Sequence, residues 1–178
     1  MEELKRLRDA IDAIDGQLVG LLNDRARLAQ EIGRIKERDG RPVYVPERAE
    51  HLVSRLASQS KGPLGEQAIR AIYTEIMSAA LALEKEMVVA CDGEAGGDAH
   101  FAARRQFGSS IRFSFHPGPE QVIEALRCNK ADCGVIPEHN ARIDKLLDNS
   151  NLSVLSKVVS DHGPDTTFLV LGRAQLPV

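Results

Sequence analysis

A heptad pattern of apolar residues from Leu4 to Ile35 constrains this 178-residue chain more than any other feature. Successive positions alternate in steps of three and four, and the apolar ones are Leu4, Leu7, Ile11, Ile14, Leu18, Leu21, Leu28, Ile32 and Ile35. Because no proline occurs before Pro42, the pattern predicts one helix of about 34 residues, about 50 Å long. Such a helix outruns a compact domain of about 90 residues. We therefore expect a second copy of the chain to cover the seam, in a homodimer.

Two shorter helices are predicted after the first. Residues 39–42, Asp-Gly-Arg-Pro, form a helix stop and turn, and Pro46 suits the first turn of a helix over 46–59. Residues 60–63, Ser-Lys-Gly-Pro, interrupt the chain again, and a third amphipathic helix is predicted over 64–86. The first half is therefore predicted to be all-α, without strands.

From residue 87 onward, short apolar runs alternate with helical patterns. The predicted strands cover 87–91, 111–115, 133–136, 152–159 and 167–171, and the predicted helices cover 98–107, 119–127 and 141–147. This alternation is typical of an α/β layer domain. We expect two domains, an all-α domain over 1–86 and a small α/β domain over 87–178, with almost no linker.

Composition excludes several classes of function. With 23 basic and 26 acidic side chains the net charge is −3, which gives no general attraction to nucleic acid. No apolar run approaches the roughly 20 residues that span a bilayer, so we expect no membrane insertion. The N-terminus is charged from its second residue and lacks a secretory signal, so we expect a cytoplasmic protein. The odd number of cysteines favours reduced thiols, and the spacing of Cys128 and Cys133 is only a weak zinc signal.

A cation interrupts the apolar seam. Arg25 stands where the heptad asks for a hydrophobe, and a buried guanidinium needs an anionic partner. Lys36 follows eleven residues later, on nearly the same face, and Arg8 flanks the seam towards the N-terminus. For Arg8 and Lys36 the alternative is an ordinary solvated charge on a long helix.

Glu84 lies four residues after Ala80, on or beside the apolar stripe of the third predicted helix. A carboxyl group held against apolar residues can act as a neutral hydrogen-bond donor. Alternatively, Glu84 is an exposed residue of the last turn.

The order of these residues resembles the helical chorismate mutases, particularly those fused to prephenate dehydratase. The resemblance rests on Arg8, Asp15, Arg25, Gly33 and Lys36, then on segment 41–48, Arg-Pro-Val-Tyr-Val-Pro-Glu-Arg. It implies an intertwined helical dimer in which Arg8 reaches the partner's site, while Arg25 and Arg48 serve their own chain. Lys36 and Glu84 would flank the ether oxygen of chorismate.

The resemblance implies an isomerase of aromatic amino-acid biosynthesis that needs no cofactor or metal. Rearrangement of chorismate, a small dianion, to prephenate is pericyclic, so catalysis consists of holding the compact conformer and stabilising charge on the ether oxygen. Arginines bind the two carboxylates, and Lys36 and protonated Glu84 supply the electrostatic stabilisation.

Three positions depart from the family's pattern. Ala49 follows Arg48 where a glutamate is common, Ala80 replaces a frequent serine, and Val45 stands where an aspartate often occurs. We expect activity, with weakened substrate affinity. The alternative is a non-catalytic module that binds an aromatic-pathway metabolite or regulates a partner enzyme.

The second half resembles a shortened prephenate dehydratase. The resemblance rests on segments 89–97, 102–108, 131–137 and 166–170. Gly97 replaces the family's loop threonine, His139 replaces the glutamate before Asn140, and Thr167 replaces an arginine. The stretch between Asn140 and Thr166 is too short for the family's second lobe, so dehydratase activity is not expected. Neither is feedback through the family's C-terminal regulatory domain.

Overall fold

The computed structural model describes residues 1–42, 44–139, 147, 151–160 and 167–173. The first half is helical, as predicted, with α1 (Glu2–Arg38), α2 (Pro46–Gln59) and α3 (Glu66–Glu84). The first helix reaches 37 residues. α2 has the predicted bounds, and α3 is shorter at both ends than predicted because Gly65 and Lys85 are extended.

Most of α1 is uncovered within a single chain. Its buried residues are Ala29 and Gly33, in its C-terminal third, where α3 packs against it. The exposed fraction of the apolar seam residues ranges from 37% at Ile32 to 66% at Leu21. The heptad pattern therefore formed the predicted helix, but the chain's own folding does not bury the seam.

The second half forms a five-stranded mixed sheet with helices. Its elements are β1 (Val88–Asp92), α4 (Asp98–Phe107), β2 (Arg112–His116), α5 (Pro119–Arg127), β3 (Cys133–Pro137), β4 (Leu152–Val159) and β5 (Thr167–Arg173). The strand order is β2-β1-β3-β5-β4, with β1 parallel to β2 and β3 and with β5 antiparallel to β3 and β4. The predicted α/β class is confirmed. The helix predicted over 141–147 lies outside the described residues except for Leu147.

The two faces of this sheet are covered by different helices. Alternate residues of a strand point to opposite faces, so Val89 joins a core cluster with α4, whereas Ala90 joins a second cluster with α5. The parallel β1, β2 and β3 require crossover connections, and α4 and α5 supply them.

The helical part and the sheet share the first of these clusters. Tyr44, in the connection between α1 and α2, is 9% exposed and belongs to the cluster that contains Val89 and Phe107. Leu81 of α3 packs against the same cluster. The core of the α/β part is therefore completed by side chains from the helical part.

A close approach joins the end of α4 to α3. Gly108 has a φ of +73°, and a Cβ at this position would lie 2.5 Å from the Ser78 Cβ. The Ser110 amide donates to the buried Ser78 hydroxyl at 3.0 Å, and the Ser109 hydroxyl donates to the Glu75 carboxylate at 2.6 Å. Only glycine combines this backbone conformation with so short a separation.

Candidate active site

A pocket of about 280 Å³ lies among the three helices and the end of α4. Four of the five predicted site residues line it: Arg25 and Lys36 from α1, Arg48 from α2 and Glu84 from α3. The structure therefore brings these four residues, which are far apart in sequence, to one pocket. The pocket combines three cationic groups with one carboxyl group.

Lys36 and Glu84 face each other across the packed ends of α1 and α3. The Lys36 Nζ lies 3.6 Å from the Glu84 Oε2, and these side chains are 16% and 9% exposed. The alternative of an exposed Glu84 in the last turn is thus wrong. Among the described residues, nothing forms a hydrogen bond with the buried Glu84 Oε2. Because an unsatisfied buried oxygen is costly, a ligand or water that pairs with it would be favoured.

Arg25 and Arg48 supply the other two cations. Arg25 is half-buried on α1, and Arg48 is exposed in the first turn of α2, where Pro46 occupies the first helical position. No carboxylate among the described residues pairs with either guanidinium. Two guanidinium groups in one pocket suit a small ligand that carries more than one carboxylate.

Arg8 is the one predicted site residue that the structure does not bring into this pocket. It lies on the exposed N-terminal part of α1, seventeen residues before Arg25. At 1.5 Å per residue, the two positions are separated by roughly 25 Å along the helix. This distance exceeds the reach of an arginine side chain, so Arg8 does not reach the pocket of its own chain.

The three departures from the family pattern, Val45, Ala49 and Ala80, all line the pocket. They make part of its wall apolar or small where charged or hydroxyl groups are more usual in the family.

Tyr44, Gln106 and Phe107 are among the lining residues that the sequence did not reveal. Burial raises the pKa of Tyr44 to about 12, although the hydrogen bond from Gln106 opposes the shift. Tyr44 belongs to the segment that carried the family resemblance, but the sequence does not indicate in which direction its ring points. Gln106 and Phe107 end α4, and no local pattern places them beside the first helix.

The dehydratase-like positions are distributed around the α/β part. Gly97 is the N-cap of α4, Thr167 begins β5 and His139 is exposed. Asn140 and Thr166 lie outside the described residues. Within the described part of the chain, no helix is both long and apolar enough to cross a membrane, and no three His, Cys, Asp or Glu residues cluster as a metal site would require.

The fold and site define a class of protein in which a helical part carries a compact cationic pocket, able to hold a small anion, and an α/β part follows it. Residues 7–85 match the family described as chorismate mutase type II.

Similarity to curated proteins extends beyond the helical part. The chain is 39% identical over 144 residues to a bifunctional chorismate mutase/prephenate dehydratase of Aquifex aeolicus, and 32% identical over 145 residues to that of Pseudomonas aeruginosa. Each alignment covers 79% of this chain and 40% of the relative. Because alignments over 144 and 145 residues are longer than the helical half, the similarity includes part of the α/β half. The chain spans less than half the length of these relatives.

Among solved structures, a chorismate mutase from Thermus thermophilus is 36% identical, with a TM-score of 0.46. The match covers 46% of this chain and 93% of that structure.

Proposed function

We propose that this chain is a chorismate mutase that converts chorismate to prephenate in aromatic amino-acid biosynthesis. The observation that carries the proposal is the pair of Lys36 and Glu84, 3.6 Å apart, in a pocket that also receives Arg25 and Arg48. The match of residues 7–85 to the family supports the same reaction.

In the proposed mechanism, the side chains bind and polarise but form no covalent bond. One carbon–oxygen bond of the substrate breaks as one carbon–carbon bond forms, and no proton is transferred. Arg25 and Arg48 hold the two carboxylates, so that the reacting ends stay close together. The Lys36 ammonium and the neutral Glu84 carboxyl donate to the ether oxygen, which gains negative charge in the transition state.

The proposed active unit is a homodimer joined through α1. The exposed seam on α1 supports this arrangement, because its apolar residues lack cover within one chain. The separation of Arg8 from its own pocket also supports it. In the dimer, Arg8 would contribute a third guanidinium to the partner's pocket.

We propose that residues 1–86 form the mutase domain and that residues 87–178 form one lobe of prephenate dehydratase type, without dehydratase activity. His139 and Thr167 replace a glutamate and an arginine of that family's pattern. The similarity to the two bifunctional relatives supports the origin of the lobe. A cytoplasmic location fits an enzyme of biosynthesis and remains a prediction.

A non-catalytic module that binds an aromatic metabolite is the second candidate. The apolar side chain of Ala49 in the pocket favours it, because it leaves less polar contact for a substrate hydroxyl. The pair of Lys36 and Glu84 favours catalysis, because a module that only holds carboxylates would not need this pair. Turnover distinguishes the two candidates.

The test is loss of chorismate absorbance in the ultraviolet, followed by acid conversion of the product to identify prephenate. Arg25→Ala should lower kcat/KM by about 100-fold or more, because it removes a charge-assisted contact to the substrate. Arg27→Ala is the matched control, since Arg27 lies on the same helix, 72% exposed and paired with Asp24. A folded wild-type protein without turnover would refute the mutase proposal and leave the binding module.

A further inference from the structure

Part of the pocket's wall comes from the α/β half of the chain. Gln106 and Phe107, at the C-terminal end of α4, line the same pocket as Arg48 and Glu84. Phe107 is 2% exposed and belongs to the core of the sheet. The pocket is therefore bounded by residues from both halves.

Tyr44 connects this wall to the helical half. The Gln106 Nε2 donates a hydrogen bond to the Tyr44 hydroxyl at 2.7 Å, and the rings of Tyr44 and Phe107 lie 4.7 Å apart. The Tyr44 ring is buried in the core cluster around α4 and the sheet. These contacts fix the connection between α1 and α2 to the α/β half.

Tyr44 lies just before the start of α2, so its contacts with Gln106 and Phe107 also fix the first turn of that helix. Tyr44 directly precedes Val45, which is the N-cap of α2, and it lies four residues before Arg48. α2 has no side-chain hydrogen bond at its N-cap, so its first turn lacks the usual local fixation. Instead, the tertiary contacts of Tyr44 with Gln106 and the core cluster hold the chain in place immediately before the turn that carries Arg48.

The end of α4 is itself held against α3. Gly108 packs directly on Ser78, and the neighbouring amide of Ser110 donates to the Ser78 hydroxyl. Ser78 lies on the helix that ends with Glu84 and also lines the pocket. Gln106 and Phe107 thus sit on a support that is fixed relative to Glu84.

We propose that Tyr44 and Gln106 are positioning residues of the mutase site, through which the α/β half holds Arg48 in register with Lys36 and Glu84. This inference rests on the proposed function. It gives the α/β half a role in the mutase reaction that does not depend on dehydratase chemistry.

The test compares Tyr44→Phe, Gln106→Ala and the double variant, in the full-length chain. Tyr44→Phe keeps the packed ring and removes only the hydroxyl, which limits unfolding. Each single variant should raise the KM for chorismate by roughly threefold to tenfold, with a smaller change in kcat, because one hydrogen bond that orients Arg48 is lost. The double variant should do no more than the larger single effect, since both changes break the same bond.

Arg112→Gln is the matched control. It breaks an ion pair between Arg112 and Glu86 that also joins the two halves but lies outside the pocket lining. We expect its KM to equal that of the wild type. Hydrogen exchange of peptides that cover residues 45–49 should rise in Gln106→Ala and not in Arg112→Gln.

The outcomes separate the two proposals. If the wild type turns over and both Tyr44→Phe and Gln106→Ala keep its KM, the positioning role is overturned while the mutase function stands. A lower Tm with an unchanged KM would likewise reduce the contact to a structural one and overturn the inference. If the folded wild type shows no turnover, the mutase function fails, and the positioning role falls with it.

Discussion

Gly33 lies directly against Glu84. A Cβ added at Gly33 would be 3.0 Å from the Glu84 Cβ and 3.1 Å from its Cγ. The absence of a side chain on α1 therefore lets the end of α3 approach closely enough for Lys36, three residues later, to face the carboxyl group. The glycine of the family motif sets the distance between two proposed catalytic groups.

Gly33→Ala should lower kcat although alanine favours helices. Alanine gains up to about 1 kcal/mol of helix propensity over glycine, but the new methyl group must displace Glu84 or the end of α3. Gly16→Ala is the control, because a Cβ at Gly16 meets nothing within 4 Å. Steady-state kinetics and thermal unfolding of both variants check this. An active, stabilised Gly33→Ala variant would contradict it.

Replacement of Glu84 tests whether it acts as a hydrogen-bond donor. Glu84→Gln keeps a donor of similar shape and should retain most of the rate. Glu84→Ala should lower kcat by roughly 100-fold, because a donor to the developing charge is lost. The comparison of kcat at one pH decides between donor and anion: if the glutamine variant is as impaired as the alanine variant, the ionised carboxylate is the active form.

Mixing two inactive variants tests the dimer and the role of Arg8 together. In a heterodimer of Arg8→Ala and Arg25→Ala chains, one site receives both defects and the other receives neither if Arg8 acts across the dimer. Equal mixing with free exchange should therefore restore roughly a quarter of the wild-type rate. If Arg8 served its own chain, mixing would restore nothing. The chains are exchanged by unfolding and refolding the mixture, and each variant treated alone in the same way is the control.

Tyr44 should make the protein less stable at alkaline pH. Its pKa in the folded protein is about 12 against an ordinary value of 10, so the unfolded chain loses this proton first as the pH rises. The contribution is intact below about pH 10 and is lost towards pH 12, with a decrease of about 1.4 kcal/mol between pH 9 and pH 11. Urea unfolding at both pH values should show this loss in the wild type relative to Tyr44→Phe. Buried Cys91 and Cys133 have raised pKa values too, but they are common to both proteins and cancel. Equal losses in the two proteins would contradict the prediction.

The sequence predicted the helices because their signals are local. Heptad spacing, the turn before Pro42 and Pro46 at a helix start are visible without knowledge of distant residues. They predicted the bounds of α2 and a length of about 34 residues for α1, which has 37. Arg25, Lys36 and Glu84 could be selected as candidate site residues for a related reason, since each places a charge on or beside an otherwise apolar stripe.

The remaining parts of the site depend on tertiary structure. Nothing local indicates that Gln106 reaches Tyr44 across 62 residues of chain. Helical periodicity could place Gly33 on a face of α1 but not identify Glu84 as its neighbour. These contacts arise because the α/β half folds against the helices, an arrangement that the apparent boundary near residue 86 conceals.

The burial of Tyr44 within the core of the sheet has a consequence for how the molecule denatures. Removing the sheet would bare this ring together with one side of α3, and removing the helices would open the hydrophobic interior around α4. Because each half buries side chains of the other, we expect heating to melt both in one cooperative transition. A break of the chain after residue 86 would yield two fragments that each expose apolar surface and tend to aggregate, instead of two independent folding units.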